Sequence, residues 1–294
     1  MATYSIRDLE KISGIKAHTL RVWEQRYSIL TPKRTETNIR YYEEEDLRLL
    51  LSIAMLNSNG YKISRIAKME PGVIHATCQQ LYDVSEDYVN QINALTLAMI
   101  EMDEDRFEKI IANCTLRYGF EDMMVHIVHP FFERVGILWQ TGSIRPAQEH
   151  FISNLLRQKM IVAIDAQSVP RDPSLPRYLL FLPENELHEN GLLFATYLLR
   201  SRKNRVIYLG ASLPEDDLES VYNNYKPDYL LTFITIAPPK ESTADFLSRL
   251  AEKFPKATIL ATGYATDKGA DYPKNVEILS GIDDLLEFAE HQSN

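Results

Sequence analysis

Residues 176–294 alternate short apolar runs with amphipathic stretches, and this alternation constrains the fold more than any other feature of the chain. The apolar runs are RYLLFLP (177–183), NRVIYLG (204–210), DYLLTFI (228–234), TILATG (258–263) and VEIL (276–279). Continuous apolar strands separated by helices are typical of a parallel sheet that is covered on both faces. The pattern therefore predicts a doubly wound, Rossmann-like α/β domain, in which ligands bind at the carboxyl ends of the strands.

The segment ELHENG (186–191) directly follows the first of these strands and contains a candidate metal ligand. His188 can extend its imidazole over the edge of the sheet, and Glu186 can accept a hydrogen bond from the other ring nitrogen. Gly191 allows a bulky planar group to approach the backbone. Taken alone, the segment fits an exposed histidine in an ordinary turn better than it fits a metal ligand.

Residues 1–70 have the pattern of a winged helix-turn-helix domain. Apolar spacing predicts one helix over 5–13 and another over 16–27, separated by the helix breaker Gly14. Two short helices that meet at a tight turn are typical of helix-turn-helix proteins. Pro32 and the polar stretch that ends at Arg40 predict a β-ribbon wing, and further helices are expected over 43–56 and 62–68.

The charge of the chain favours DNA as the partner of this first domain only. Residues 1–69 carry 12 Lys and Arg against 8 Asp and Glu, a net charge of +4, whereas the whole chain carries −9. A cationic helix face and a cationic wing suit the grooves and phosphates of DNA. We expect His18 and Arg21 to contact bases. The residues expected on phosphates are Arg26, Lys33, Arg34 and Arg40, and Lys16, Thr19, Tyr27 and Tyr41 complete the predicted DNA-binding set.

Four apolar-periodic segments lie between these two domains, at 88–102, 104–117, 121–138 and 146–165. They predict a four-helix bundle over 88–167, with Pro130 bending the third helix. A weaker pattern that begins at Pro71 predicts a linker over 71–87. Trp139 near the end of the third helix and Glu149-His150 at the start of the fourth are expected to converge on one end of the bundle.

The remaining composition excludes several classes of protein. Cys78 and Cys114 lie far apart and form no C-x-x-C pair, so neither a disulfide framework nor a cysteine zinc site is indicated. No apolar run approaches the roughly 18 residues of a membrane span, and the first residues do not resemble a signal peptide. We therefore expect a cytoplasmic protein without a membrane partner.

Residues 3–69 resemble the MerR family of transcription regulators. The resemblance rests on YSIRDLEKISGIKAHTLRVWEQRY, on the wing residues PKRT and NIRYY, and on EEDLRLLLSIAMLNSNGYKISRIAKM. The later segments resemble the cobalamin-binding module of the CarH/LitR-type photoreceptors. That module has a tryptophan, nine further residues and then Glu-His, followed by a D/E-x-H-x-x-G motif, which ELHENG matches. The two resemblances together cover almost the whole chain.

The resemblance to the photoreceptors implies a corrinoid, most directly adenosylcobalamin, held between the bundle and the α/β domain. It implies that His188 ligates cobalt and that Trp139 caps the upper face of the ring. The other implied cofactor-binding residues are Glu149, His150, Glu186, Gly191, Thr235 and Gly263. It further implies a repressor that binds a double-stranded DNA operator and assembles into dimers or tetramers.

Three positions depart from the family pattern. Phe233 stands at the end of the third strand, where corrinoid domains usually have a serine beside the nucleotide tail. Thr262 replaces the first of two glycines after the fourth strand, and Gln140 replaces the histidine that follows the signature tryptophan. These departures predict an altered tail site, and they argue against a cobalt held by two histidines after illumination.

Two other functions are compatible with the sequence. A MerR-type regulator with a degenerate corrinoid pocket would respond to another planar ligand or to a protein partner. A corrinoid methyl-carrier protein has the same bundle and α/β domain, but it needs a partner catalytic domain. Because residues 1–69 are given to DNA recognition, we expect a regulator and not an enzyme.

Overall fold

The structure is a computed structural model, and it describes residues 3–84, 87–140, 142, 144–168, 170, 172–239 and 241–291. The side chains of residues 75, 79, 80, 82–84 and 140 also lie outside this description, and they include that of Gln140. The chain divides into two compact units, Met1–Ile152 and Ser153–Asn294. Among the described residues, no helix is both long enough and apolar enough to cross a membrane.

The first unit begins with the predicted helix-turn-helix, formed by α1 (Ile6–Ser13) and α2 (Ala17–Tyr27). A capping box starts α1: the Asp8 N–H donates to Ser5 Oγ at 3.3 Å, and the Ser5 N–H donates to Asp8 Oδ2 at 2.8 Å. Gly14 ends the helix at φ 73°, a left-handed conformation that glycine adopts without strain. These local signals explain why the chain turns sharply before α2.

The predicted wing is a small antiparallel sheet. It consists of β1 (Thr3–Tyr4), β2 (Lys33–Arg34) and β3 (Arg40–Glu43) in the order β1-β3-β2. The sequence did not indicate β1, which is too short to show an alternating pattern. The helices α3 (Glu44–Ser58) and α4 (Ile63–Ile66) follow the wing and agree with the predicted pair.

The segment expected to be a linker over 71–87 is helical over most of its length, as α5 (Pro71–Val84). Ile74 and Cys78 are buried one helical turn apart, and the Cys78 thiol donates to the Ser52 carbonyl oxygen at 3.5 Å. This short apolar stripe packs α5 against α3. Residues 85 and 86, also in the expected linker, lie outside the described residues.

The predicted helical region follows α5. It comprises α6 (Tyr88–Glu101), α7 (Glu104–Tyr118), α8 (Phe120–Met123), α9 (His129–Gln140) and α10 (Pro146–Asp165). One π-helical turn, Met124–Val128, connects α8 to α9 directly before Pro130. Proline lacks the amide N–H of a regular helix, so the irregularity falls where the sequence predicted a bend. The division between the two units falls within α10.

The second unit contains the predicted doubly wound α/β fold. Its elements are β4 (Arg177–Pro183), α11 (Asn190–Ser201), β5 (Arg205–Leu213), α12 (Glu215–Tyr225), β6 (Tyr229–Phe233), α13 (Thr243–Lys253), β7 (Thr258–Thr262), β8 (Val276–Ile278) and α14 (Ile282–His291). All pairings are parallel, in the order β5-β4-β6-β7-β8. The carboxyl ends of all five strands therefore lie along one edge of the sheet.

The two faces of this sheet have different cores. Leu179, Phe181 and Leu230 are buried in a cluster that includes residues of α12 and α13. On the opposite face, the rings of Tyr178 and Tyr229 stack with their centroids 4.8 Å apart. Both rings meet Phe288 of α14 edge-on, at 6.3 Å and 5.5 Å. Alternation of side chains along the strands sorts them into these two layers.

Candidate functional site

The second helix of the helix-turn-helix presents the predicted cationic face to solvent. His18, Arg21 and Arg26 are exposed, whereas Leu20 and Trp23 are buried. Within the part of the chain that the structure describes, neither Arg21 nor Arg26 forms an ion pair. Their charges are therefore available to an anionic partner such as DNA.

The start of α2 is held by Glu10 of α1. The Ala17 N–H donates to Glu10 Oε2 at 3.0 Å, and Lys16 Nζ lies 3.1 Å from Glu10 Oε1. The hydrogen bond from Ala17, followed by that from Lys16, lowers the pKa of the Glu10 carboxyl below its ordinary value. Lys16 is exposed but already paired, and Thr19 in the same turn is half-buried. Lys16 therefore contributes less free charge to this surface than Arg21 does, and the uncharged Thr19 contributes none.

The wing carries three of the predicted phosphate contacts on its exposed surface. The Arg34 guanidinium donates to Asn38 Oδ1 at 2.7 Å and to the Asn38 carbonyl at 3.3 Å, across the wing turn. Lys33 Nζ lies 2.7 Å from Glu43 Oε1. Arg40 is also exposed, and Tyr41 is half-buried. Lys33 would have to leave an ion pair to bind a phosphate, whereas the acceptors of Arg34 are uncharged.

Glu24 connects the wing to α2, a role that the sequence did not indicate. The buried Tyr42 hydroxyl donates to Glu24 Oε1, and Arg40 Nε lies 3.9 Å from Glu24 Oε2. Burial and then the hydrogen bond to Glu24 raise the pKa of Tyr42. The two partners are 18 residues apart, so only the fold brings them together. Tyr27, which ends α2, lies with its ring centroid 5.5 Å from the Arg26 guanidinium.

In the second unit, His188 and Glu186 form the predicted pair at the carboxyl end of β4. His188 Nδ1 lies 2.6 Å from Glu186 Oε1. The His188 side chain is 57% exposed, whereas that of Glu186 is 3% exposed. A carboxylate at Nδ1 favours the tautomer in which Nε2 carries the lone pair, and Nε2 is then the metal-binding atom.

The carboxylate of Glu186 is fixed by backbone as well as by the imidazole. Its Oε2 accepts the N–H groups of Thr235 at 2.8 Å and Ile236 at 3.0 Å, and its Oε1 accepts the His188 N–H at 3.0 Å. Burial alone would raise the pKa of Glu186, but these hydrogen bonds and that with the imidazole lower it to about 2. Thr235 therefore contributes its backbone amide to the predicted site.

Three large apolar side chains are exposed at the same edge of the sheet, and we call them the strand-exit patch: Leu187, Ile236 and Tyr264. Their exposed fractions are 69%, 62% and 83%. They follow β4, β6 and β7 respectively. Exposed apolar residues that cluster in this way mark a surface that is covered by another group. The sequence signal was present, because a turn at a strand exit usually carries polar residues, but it was missed.

The predicted ligand position at Gly191 is filled from within the chain. A Cβ atom built on Gly191 would lie 2.5 Å from the ring of Phe233. The planar group that approaches this glycine is thus the phenyl ring of Phe233, where the sequence predicted a ligand. At Gly263, with φ 121°, a Cβ atom would lie 2.4 Å from the Ile234 carbonyl oxygen. The absence of a side chain at both glycines is already required by contacts within the protein.

Glu189 anchors the loop that carries His188. It forms an ion pair with Arg157 in the second half of α10 and accepts a hydrogen bond from the Tyr208 hydroxyl of β5. The Asn190 side chain also donates to the Ser153 carbonyl at 3.4 Å. These contacts fix the loop from both sides, which limits the positions available to the imidazole.

In the first unit, the three predicted corrinoid residues flank the connection between α9 and α10. Trp139 is the penultimate residue of α9 and is 50% exposed. Glu149 and His150 lie in the first turns of α10, with His150 Nδ1 2.7 Å from Glu149 Oε2. An exposed tryptophan is unusual in a helical region, since tryptophan is normally well buried.

The residues of the sheet edge fit part of a corrinoid. No group of three or more His, Cys, Asp or Glu side chains within the described ranges could hold a metal ion. A corrinoid needs one protein ligand, because the ring supplies four nitrogens, and the oriented His188 with the strand-exit patch suits its planar face. The nucleotide tail does not fit at Gly191, since Phe233 fills that position.

Two family models match parts of the chain, and two curated relatives match most of it. Residues 4–72 match the family model "MerR HTH family regulatory protein", and residues 91–163 match the "B12 binding domain" model. The CarH repressor of Myxococcus xanthus is 28% identical over 273 residues, which cover 90% of this chain and 89% of that protein. The CarA repressor of the same organism is 28% identical over 245 residues, covering 81% and 79%.

Two further similarities concern parts of the chain. The regulator MlrA of Escherichia coli is 32% identical over 66 residues, 22% of this chain and 27% of that protein. The monomethylamine corrinoid protein of Methanosarcina barkeri covers 72% of this chain and 98% of its own length, with a TM-score of 0.54 and 14% identity, and shares the fold. The chain therefore combines a MerR-type helix-turn-helix region at 4–72 with a B12-binding domain at 91–163, and over most of its length it is similar to the CarH and CarA repressors.

Proposed function

We propose that this protein is a DNA-binding transcriptional regulator whose operator binding is controlled by a corrinoid. The observation that carries the proposal is the His188–Glu186 pair beside the strand-exit patch, in a chain that also has a winged helix-turn-helix. The two relatives that match most of the chain are named as transcriptional repressors, so we assign a repressor and not an enzyme.

On the DNA side, we assign base contacts to His18 and Arg21 and phosphate contacts to Arg26, Arg34 and Arg40. Arg21 and Arg26 are both exposed, and neither has a carboxylate partner among the described residues, so both charges are available for contacts with DNA. Loss of a phosphate contact should weaken binding to all sequences and make the salt dependence shallower. The residues with secondary roles are Lys16, Thr19, Tyr27, Lys33 and Tyr41.

On the corrinoid side, we assign the cobalt ligand to His188 Nε2, with Glu186 as the residue that orients the ring. A bound corrinoid would supply a cobalt ion, and His188 Nε2 would be its protein ligand. We infer that adenosylcobalamin is the bound form and that Trp139, Glu149 and His150 contribute to its binding. We also propose that the protein assembles into dimers or tetramers, as a two-fold operator would require.

The decisive experiment is a visible absorption spectrum of the full chain after incubation with adenosylcobalamin in the dark. Coordination by His188 should change the spectrum from that of the free cofactor, and His188→Ala should abolish the change. The matched control is His291→Ala, an exposed histidine of α14 in the same unit. A free-cofactor spectrum for the unmodified protein would remove the corrinoid from this function.

A second candidate function is favoured by one observation, the contact between Phe233 and Gly191. A regulator in which this contact has closed the corrinoid pocket altogether would respond to another planar ligand or to a protein partner. The same spectrum separates the two candidates, because a closed pocket predicts no difference between the unmodified protein and His188→Ala.

A further inference from the structure

Resting on the proposed function, we infer that this protein binds the corrin ring through His188 without taking up the nucleotide tail. Its ligands are then corrinoids as a class, including cobinamide, which has the ring and lacks the nucleotide. The chain then recognises the ring and not the tail, because its own residues fill the space beneath the sheet edge.

The position of the tail is limited by the chemistry of the cofactor. The tail is attached to the lower face of the ring, and that is the face toward which His188 extends. When a histidine occupies the lower axial position, the tail must leave it and pass beside the ends of the strands. Two routes lead down from this edge, one along each face of the sheet, since helices cover both faces.

The route between the sheet and α11 is closed by Phe233. This residue ends β6, and its ring lies against Gly191 in the first turn of α11, 2.5 Å from an ideal Cβ position. Deeper on the same face, the space is filled by Tyr178, Tyr229 and Phe288, whose ring centroids are 4.8 to 6.3 Å apart. The chain thus fills this route with its own aromatic rings from the edge inward.

The neighbouring glycine offers no alternative entry. Gly263 directly follows β7, and its α-carbon packs so closely on Ile234 that a Cβ atom would lie 2.4 Å from the Ile234 carbonyl oxygen. Thr262, the residue before it, is 5% exposed. The backbone at the ends of β6 and β7 is therefore in direct contact, with no space between these two strand exits for a ribose or a base.

The route on the opposite face leads to a cavity of about 270 Å³ beside α12 and α13. Among the described residues, its lining includes Glu184, Glu215 and Glu241 and one cation, Arg249, which already pairs with Glu215 and Glu241. Lys240, which follows the lining residue Pro239, lies outside the described residues. Lys253 also pairs with Glu215, so three carboxylates face two cations among the described residues, an excess of one negative charge. The tail carries a phosphate, which such a cavity disfavours because like charges repel.

The test compares adenosylcobalamin with adenosylcobinamide on the full chain in the dark, followed by absorption titration. We expect adenosylcobinamide to bind at least as tightly as adenosylcobalamin, because only cobalamin must first release its own tail base from cobalt, and we expect bound spectra that coincide, because His188 is the axial ligand in both. Cobalamin that binds more than about threefold tighter would mean that the tail is recognised, which overturns the inference while the proposed function stands. If neither compound binds more tightly than it does to His188→Ala, the corrinoid part of the proposed function fails and the inference fails with it.

Two variants assign the exclusion of the tail to Phe233. Phe233→Ser opens the space before Gly191, and we expect the preference for cobalamin over cobinamide to rise about tenfold. Phe233→Leu keeps the space filled and should leave the ratio of the unmodified protein unchanged. An unchanged ratio in a folded Phe233→Ser protein would overturn the role of this residue. If Phe233→Ser does not fold, the comparison of the two corrinoids on the unmodified protein still decides the inference.

Discussion

Glu186 is buried and ionised because four hydrogen bonds compensate for the loss of water, and its position fixes the imidazole beside it. We predict that Glu186→Gln weakens corrinoid binding by roughly 10–100-fold, the usual cost of removing a partner that orients a metal-bound histidine. The measurement is an absorption titration with adenosylcobalamin.

The matched control for this prediction is Glu184→Gln, an exposed carboxylate two residues earlier. It removes the same charge without touching His188, so its affinity should equal that of the unmodified protein. Equal losses in the two variants would mean that net charge near the sheet edge, and not orientation of the imidazole, controls binding.

Arg21 is the residue from which we expect the largest contribution to DNA specificity. Arg21→Ala should cost about 1–3 kcal/mol in operator binding, the range for a bidentate contact to guanine. Affinity is measured by titration of labelled operator at fixed salt. Lys256→Ala, which removes an exposed charge from the second unit, serves as the control. An operator affinity that Arg21→Ala leaves unchanged contradicts the assignment.

At the scale of the elements, the turn between α1 and α2 depends on the left-handed conformation of Gly14. Gly14→Ala should destabilise the first unit by about 1–2 kcal/mol, because an L-residue is strained at this φ. Gly72→Ala, within α5, has open space for its Cβ and an ordinary φ, and should stabilise by roughly 0.4–1 kcal/mol. Amide hydrogen exchange of the first unit measures both changes in the free energy of unfolding. Changes of the same sign in the two variants would contradict a role for the backbone conformation of Gly14.

The exits of three strands supply the strand-exit patch, and this arrangement predicts a ligand-facing surface. Ile236→Asp keeps the backbone N–H that binds Glu186 but removes an apolar side chain. We expect corrinoid affinity to fall by about 1–2 kcal/mol from the lost burial, with folding unaffected because the residue is 62% exposed. Leu116→Asp, at an 87% exposed position of α7, should leave corrinoid affinity unchanged.

The strands of the α/β domain and most of the helices were the part of the structure most accessible from the sequence. The apolar runs identified all five strands of the α/β sheet, because a parallel strand buried on both faces is continuously apolar. The helical nature of α5 was missed, since its apolar stripe contains little more than Ile74 and Cys78. The π-helical turn was also missed, although Pro130 indicated where the irregularity lies.

At the scale of the whole molecule, one chain carries both a DNA-binding domain and a corrinoid-binding module, and any coupling between the two affinities has to be reciprocal. We predict that adenosylcobalamin changes operator affinity by about 5–150-fold, and that operator DNA changes adenosylcobalamin affinity by the same factor. Four titrations, each ligand with and without the other, test this. Ratios of one in both directions would show that the two activities are independent.

Contacts between distant residues are what the sequence could not supply. ELHENG suggested that Glu186 orients His188, but the two backbone amides that fix Glu186 come from residues 49 and 50 positions later. Comparison with the family pattern identified Phe233 as unusual, and only its packing on Gly191 reveals what the ring displaces. The domain order was predictable because each domain has its own local pattern, whereas these contacts depend on strand pairing.

The ring of Phe233 against Gly191 also has a consequence for the environment in which such a regulator works. By excluding the tail, this contact would let corrinoids that share the ring and differ in the base at the end of the tail bind through the same protein contacts. A cell that carries this protein would then respond to the total supply of these compounds, whichever neighbouring organism made them, and would gain no information about their source.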